Sequence, residues 1–177
     1  SNGYANLGIG SFSNKNVPTL ISGMSNVVAI APGYAHTIAL LADGTVKGFG
    51  GNYLGQLGDG TTNYHSTPTT IPGLSNVVAI ASASSTSYAR TADSSTYAWG
   101  NNSNGVLCTG SAASYTTSPA LATSGVTGIY TSSSAQSVIL RKSDGNLYGC
   151  GNNWSGQLGH STFDAGSSTP ALVTGAW

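Results

Sequence analysis

Asn26-Val27-Val28-Ala29-Ile30 recurs letter for letter as Asn76-Val77-Val78-Ala79-Ile80. Four further series of residues keep a step of 50 or 51 positions along the chain. The series are Phe49-Gly50, Trp99-Gly100 and Cys150-Gly151; Asp43, Asp93 and Asp144; Pro18, Pro68, Pro119 and Pro170; and Leu7-Gly8, Leu57-Gly58, Leu107-Cys108 and Leu158-Gly159. Because several independent landmarks share one register, the chain is an array of repeats.

The landmarks divide this single predicted domain into a partial unit and three full units. The units are residues 1–25 (partial), 26–75, 76–125 and 126–177. The third unit has one additional residue, which we place between Leu140 and Asp144, where a turn would absorb it.

Each full unit has the pattern of four short strands. In the first, Val27 to Ile30 is an apolar run, and His36 to Leu40 alternates with a period of two. Asp43-Gly44 is typical of a hairpin turn and leads into the strand from Thr45 to Phe49. A Gly/Asn-rich loop, Gly50 to Gly60, then precedes a further extended segment. Short strands repeated in this way predict an all-β propeller of about three and a half blades of ~50 residues.

The landmarks also match a known repeat pattern. The first unit has Ala31, Gly33, His36, Ala39, Leu40, Asp43-Gly44, Phe49-Gly50, Asn52, Gly55-Gln56-Leu57-Gly58 and Gly60. The third keeps Asp144-Gly145, Leu147-Tyr148 and Asn152 to Gly159, while the second departs at Thr86, Ser94, Val106 and Cys108. This pattern resembles the RCC1-like (regulator of chromosome condensation) repeats. The resemblance implies a seven-bladed propeller but no single activity, since the family includes exchange factors, secreted enzyme inhibitors and surface proteins.

The repeated positions predict structural roles rather than catalytic ones. Those residues are His36, Asp43, Phe49, Trp99 and Asp144. His36, with Thr86 and Gln136 at the equivalent places, is predicted to hydrogen-bond within the blades. We expect burial between blades for Ile30, Leu40, Ile80, Leu140, Phe49 and Trp99.

The composition excludes several classes of protein. Only ten of 177 residues are charged, with five Lys/Arg balancing five acidic residues and no Glu, while Ser, Thr and Asn number 61. Without basic excess, the electrostatic attraction that supports binding of nucleic acid is missing. No apolar run approaches the length of a membrane span, so membrane insertion is not predicted.

No catalytic, metal or cofactor site is predicted. His65 and His160 lie in polar loops with no carboxylate cluster beside them. No Glu exists to pair with the turn aspartates, and no G-x-S-x-G motif is present. We therefore predict a protein that is not an enzyme and has no cofactor.

Cys108 and Cys150 replace a loop glycine and a core aromatic, and adjacent blades would bring them near each other. The two cysteines permit but do not require a disulfide, which is conditional on an oxidising compartment. The neutral composition rich in Ser, Thr and Asn favours an extracellular or cell-surface location. Two glycosylation sequons, at Asn101 and Asn153, fall in Asn-rich repeat loops where a structural role competes with modification.

Loop aromatics are the predicted contact residues: Tyr53, Tyr64, Tyr115, Trp154 and Phe163. Such residues among Gly, Ser and Asn suit adaptable protein or glycan contacts, although the same rings could pack loops against the next blade. We predict an extracellular interaction or assembly module. The alternatives are a secreted enzyme inhibitor and a small-GTPase exchange factor, the latter disfavoured by the scarcity of charge.

Three full units do not close a ring. The open faces predict a neighbour: another copy, further blades of the same protein or a different subunit. We therefore expect that the chain does not function as a lone monomer.

Overall fold

The computed structural model describes residues 1–159 and 164–174. Three four-stranded antiparallel sheets account for the regular structure of this part of the chain. Blade 1 contains β1 (Val27–Pro32), β2 (His36–Leu41), β3 (Val46–Gly50) and β4 (His65–Thr70). Blade 2 contains β5 (Val77–Ala83), β6 (Thr86–Thr91), β7 (Thr96–Asn101) and β8 (Tyr115–Thr123). Blade 3 contains β9 (Val126–Tyr130), β10 (Ser137–Lys142), β11 (Leu147–Asn153) and β12 (Asp164–Leu172).

Each sheet follows chain order, and neighbouring blades meet through their first strands, β1 with β5 and β5 with β9. This is the stacking expected of propeller blades, so the predicted all-β propeller fold is confirmed. The helical content of the described residues is one short 3-10 turn, Ser103–Gly105. None of the described helices is long and apolar enough to cross a membrane.

The two ends of the blades differ. The short turns that contain Asp43, Asp93 and Asp144 lie at one end of the sheets, which we call the turn rim. The other end carries the connections 33–35, 84–85 and 131–136 and the longer loops that follow the third strand of each blade. We call this end the loop rim.

The hydrophobic core is divided between the two blade interfaces. One cluster joins blades 1 and 2 and includes Ile38, Leu40 and Trp99. The other joins blades 2 and 3 and includes Tyr88 and Leu140. Packing between sheets, rather than within one sheet, therefore buries the large side chains.

The predicted site of the third-unit insertion is wrong. The turn-rim hairpin is closed by the same bond in each blade, from Leu41 N to Thr45 O in the first and from Lys142 N to Asn146 O in the third. The additional residues lie instead in connection 131–136, because surface connections tolerate insertions better than a short hairpin. Consequently Ser137, rather than Gln136, pairs across the sheet as His36 does.

The burial predicted for Ile30 is also wrong. Leu40, Leu140, Phe49 and Trp99 are buried, but Ile30 is 64% exposed. Its equivalent, Ile80, is half-buried against the cluster shared with blade 1. The apolar run faces both sides of the sheet, and no described blade precedes blade 1 to cover the side with Ile30.

Candidate protein-contact surface

The loops of the loop rim are anchored by a repeated asparagine. Each of these side chains accepts a hydrogen bond from the backbone N–H of a leucine five residues later, over 2.8–3.1 Å. The pairs are Asn2 with Leu7, Asn52 with Leu57, Asn102 with Leu107 and Asn153 with Leu158. The side-chain amide groups donate to acceptors further along the chain, for example from Asn52 to Thr61 O. Each loop is therefore held by buried hydrogen bonds and has a defined shape.

Each loop also contacts the outer strand of the next blade. A loop glycine donates its backbone N–H to that strand: Gly10 to Ser66 O, Gly60 to Thr117 O, and Gly110 to Ser168 O, each over 2.8–2.9 Å. The long loop of one repeat is thus part of the surface of the following blade. A binding surface on the loop rim is built from two or more repeats.

Beneath these loops, a second glycine lies against an aromatic ring of the next blade. A Cβ atom added at Gly8 would collide with Phe49, and one added at Gly58 would collide with Trp99. Both glycines have positive φ. Glycine is required here by conformation and by the close approach of the ring.

Cys108 and Cys150 form a disulfide with a Cα–Cα distance of 5.6 Å. Both cysteines are buried, and Cys108 has the positive φ that glycine adopts in the other loops. The disulfide thereby ties the loop after β7 to β11 in the next blade.

His36 also links two blades. Its Nε2 lies 2.8 Å from Ser87 Oγ in blade 2, and Ser87 donates its hydroxyl hydrogen to Gln56 O over 2.8 Å. Since that hydrogen is engaged, Nε2 must be the donor to Ser87, and Nδ1 carries no proton. Complete burial lowers the pKa of His36 to about 4, which keeps the imidazole neutral. His36 is therefore committed to a structural hydrogen bond.

His65 does not match its predicted surroundings. It begins β4 rather than lying in a loop, and its Nε2 is 2.6 Å from Asp59 Oδ2. Partial burial raises the pKa of Asp59, but hydrogen bonds from Thr61 and His65 outweigh this effect and leave it below its ordinary value. No local sequence pattern indicated this pair, because a loop residue and a strand residue meet only when the loop folds back.

The aspartates of the turn rim have local roles. The backbone N–H of Thr45 donates to Asp43 and lowers the pKa of that carboxyl group. The backbone N–H of Asn146 does the same for Asp144, and Asp93 occupies the equivalent turn. In residues 1–159 and 164–174, no three His, Cys, Asp or Glu side chains come together as a metal site would require.

The predicted contact aromatics lie in different places. Tyr53 and Tyr64 adjoin one another, with ring centroids 6.5 Å apart. Tyr115 begins β8, and Trp154 is exposed in the loop after β11. Phe163 and His160 lie outside the described residues.

Two further tyrosines extend the pair, and sequence reasoning missed both. Tyr4 lies 6.4 Å from Tyr64, and Tyr34 lies 6.4 Å from Tyr4, measured between ring centroids. We call Tyr34, Tyr4, Tyr64 and Tyr53, in this spatial order, the tyrosine patch. Its members come from the first loop, the connection between β1 and β2, and the loop after β3. Their separation along the chain hid the cluster from a search by spacing.

The two sequons differ in accessibility. Asn153 is fully buried, and its side chain accepts the backbone N–H of Leu158 and donates to Asp164. Asn101 lies at the end of β7 and accepts hydrogen bonds from Ser103. A glycan on Asn153 is incompatible with this burial.

Stacked four-stranded sheets, joined by loops that cross to the next blade, define a β-propeller repeat protein. A sequence model described as the regulator of chromosome condensation (RCC1) repeat matches residues 1–40 and 43–89, and a second of the same description matches residues 27–56. The chain belongs to this RCC1 repeat family.

Solved structures share the fold. Human WBSCR16 is 23% identical with a TM-score of 0.82, over 97% of this chain and 45% of that protein. Yeast RCC1 (Prp20), solved bound to Kap60, is 24% identical with a TM-score of 0.71, over 88% of this chain and 38% of that one. Prp20p from Saccharomyces cerevisiae, described with its binding properties to Gsp1p and histones, is 22% identical with a TM-score of 0.73, over 86% of this chain and 40% of that one. This chain therefore spans less than half the length of each of these proteins.

Proposed function

We propose that this chain is a non-enzymatic module for protein binding and assembly that acts outside the cell or at its surface. The structure of the loop rim supports protein binding, because its loops are anchored by buried asparagines and expose aromatic rings among small polar residues. Rigid aromatic side chains give contact area at a low cost in conformational entropy. The complex of Kap60 with yeast RCC1 (Prp20), a protein that shares this fold, supports a protein-binding role.

The side chains that could perform chemistry support a role without catalysis. His36 is buried, neutral and engaged with Ser87. His65 and Asp59 form a pair, but the Asp59 carboxylate is also bound by Asn52 and Thr61, which gives it a role in holding the loop. These hydrogen bonds are what a structural role requires.

The proposed extracellular location is supported by the disulfide and by the neutral surface. A disulfide that joins two blades persists where the compartment is oxidising. The test is mass spectrometry of the protein after alkylation without reductant, isolated from its natural source. Free thiols on both cysteines would contradict this location.

Assembly is supported by the two open faces. Blade 3 has an apolar pocket lined by Ile139, Leu147, Leu158, Gly159 and Val173. The equivalent positions of blade 1 pack around Trp99 of blade 2. At the other end, blade 1 exposes Ile30. A neighbouring blade with an aromatic residue at the equivalent place would fit the pocket as Trp99 fits blade 1.

Sedimentation at micromolar concentration tests assembly. We expect species heavier than the 17.7 kDa chain, and Ile30→Asp should shift the distribution toward monomer. Leu121→Asp is the matched control, since Leu121 is also an exposed apolar strand residue but lies on β8. A stable monomer that unfolds cooperatively would contradict the assembly proposal.

Affinity capture tests protein binding separately. The wild-type chain and a Tyr53→Ser/Tyr64→Ser variant are used to capture proteins from secreted and surface extracts of the natural source. Tyr130→Ser is the control, since Tyr130 is also an exposed tyrosine but ends β9 in blade 3. We expect a partner that the Tyr53/Tyr64 variant fails to retain and that Tyr130→Ser retains. Retention by all three proteins alike would contradict binding at the loop rim.

A further inference from the structure

The tyrosine patch has a regular geometry. Consecutive ring centroids in the order Tyr34, Tyr4, Tyr64 and Tyr53 are separated by 6.4, 6.4 and 6.5 Å. Consecutive rings are inclined by 52°, 80° and 78°. The patch is therefore a row of rings with clefts between them, not one flat aromatic platform.

Hydrogen bonds to blade 2 hold both ends of the row in place. Tyr53 Oη lies 2.7 Å from Ser85 Oγ of blade 2, and Tyr34 N donates to Ser84 O over 2.8 Å. Tyr64 precedes β4, where His65 is paired with Asp59. The rings are nevertheless 40–66% exposed. A ligand would therefore contact exposed rings on backbone segments that are ordered before it binds.

The chemistry of the row is apolar with hydroxyl tips and carries no charge. An uncharged ligand that offers compact apolar rings and unpaired hydrogen-bond acceptors is complementary to it. A polyproline II segment has both properties, because its prolines present rings and its backbone carbonyls have no internal hydrogen-bond partners. Tyrosine hydroxyls can donate to such carbonyls.

We propose that the tyrosine patch binds a proline-rich peptide in the polyproline II conformation. The shape supports this choice: with about three residues per turn, polyproline II presents proline rings and unpaired carbonyls on every side of its axis, including the side that faces the row. Aromatic-lined grooves recognise such peptides in other folds, aided by the low entropy of the preformed helix. A continuous platform for stacking successive sugar rings requires aromatic faces that lie nearly parallel, whereas neighbouring rings here are inclined by 52–80°. The inference rests on the proposed protein-binding role of the loop rim.

The test measures binding of fluorescein-labelled polyproline, about ten residues long, by fluorescence anisotropy, with a Gly/Ser peptide of equal length as the negative probe. We expect saturable binding of polyproline alone. Tyr34→Ser and Tyr4→Ser should each weaken it about tenfold or more, Tyr34→Phe should weaken it less, and Tyr130→Ser should leave it unchanged. Circular dichroism and thermal unfolding establish that each variant is folded. Because Tyr34 is the most exposed of the four tyrosines, its substitution should disturb the fold least.

The failures of the two proposals are distinguishable. If polyproline does not bind, or if Tyr130→Ser weakens it as much as Tyr34→Ser, the peptide proposal is overturned, while loss of a captured folded partner in the Tyr53/Tyr64 variant would still support protein binding. Binding of a neutral oligosaccharide probe in preference to polyproline would overturn it as well. Failure of both peptide binding and affinity capture would overturn both proposals.

Discussion

Cys108 of blade 2 is bonded to Cys150 of blade 3 at the place where the other blade contacts have a glycine beneath an aromatic ring. The disulfide and the glycine–aromatic contact occupy equivalent positions, since Gly58 and Trp99 make the corresponding contact between blades 1 and 2. The covalent bond replaces the burial of a large ring. Blade 2 is thus packed to one neighbour mainly by an aromatic side chain and crosslinked to the other.

Reduction of the disulfide should destabilise the contact between blades 2 and 3. The cysteines are 42 residues apart, for which loss of loop-closure entropy predicts about 4 kcal/mol of stabilisation. Urea denaturation with and without reductant measures the difference in free energy of unfolding. The Cys108→Ser/Cys150→Ser variant should resemble the reduced protein and be insensitive to reductant. Equal stability of the oxidised and reduced proteins would show that the disulfide is dispensable.

Trp99→Ala should strongly destabilise the fold. The indole is fully buried between blades 1 and 2, and its Nε1 donates to Gln56 O over 3.0 Å. Removing a buried aromatic side chain typically costs about 3–5 kcal/mol. Trp154→Ala is the matched control, because that ring is 63% exposed, and its melting temperature should stay close to wild type. An unchanged melting temperature for Trp99→Ala would show that this blade interface is wrong.

Sequence alone predicted the strands because landmarks recur at steps of 50 or 51 residues, among them an Asp at each hairpin turn, and the first unit shows period-two alternation. It failed at Ile30, since the side of a strand that is covered depends on which blade precedes it. It also misplaced the third-unit insertion, because Leu140 pairs across the sheet as Ala39 does, and not as Leu40 does. Backbone register resolves that ambiguity.

The contact surface was predictable only in part. Tyr53 and Tyr64 were found because both lie in the connection between β3 and β4 of a single repeat. Tyr4 and Tyr34 were missed because they join the patch through loop-to-blade contacts between different repeats. Such contacts depend on how blades stack, which no local pattern encodes.

Acidification should destabilise the protein through His36. Burial lowers the folded-state pKa to about 4, so between about pH 6.5 and 4 the unfolded chain binds a proton that the folded chain does not. Stability therefore rises with pH across this window and is lost as pH falls, by up to about 3 kcal/mol. The turn aspartates, whose pKa values are lowered, act only at still lower pH.

Urea denaturation at several pH values measures this dependence. In His36→Gln the decline between pH 6.5 and 4 should be smaller, although the variant is less stable overall, since glutamine does not titrate. His65→Gln is the control that should retain the His36 contribution. A decline of equal size in His36→Gln and wild type would assign the pH dependence to other groups.

His65→Ala should leave any measured catalytic activity of the protein intact. The side chain pairs with Asp59 on the flank of a loop and, among the described residues, belongs to no group of three or more His, Cys, Asp or Glu side chains. The same outcome is predicted for His160→Ala. Loss of a metal-dependent activity in either variant would contradict the non-enzymatic function.

Asn52→Ala should weaken the loop rim while sparing the blades. Asn52 is buried and accepts the backbone N–H of Leu57, and its amide group donates to Asp59 and Thr61. Loss of these bonds leaves Leu57 N–H without its acceptor, at a cost of about 1–3 kcal/mol. Because the loop carries Tyr53, binding at the tyrosine patch should fall together with stability.

Asn152→Ala is the matched control. Asn152 lies near the end of β11, next to the equivalent loop of blade 3, but its side chain contacts only exposed groups, among them Trp154 N and Gln157 Nε2. Its effect on the free energy of unfolding should be within about 0.5 kcal/mol. Hydrogen exchange distinguishes local loosening of the loop from destabilisation of the whole blade. Asn52→Ala should accelerate exchange at Leu57 N–H while amides in β2 and β6 stay protected. Uniform acceleration throughout blade 1 would instead show that Asn52 supports the whole blade rather than the loop.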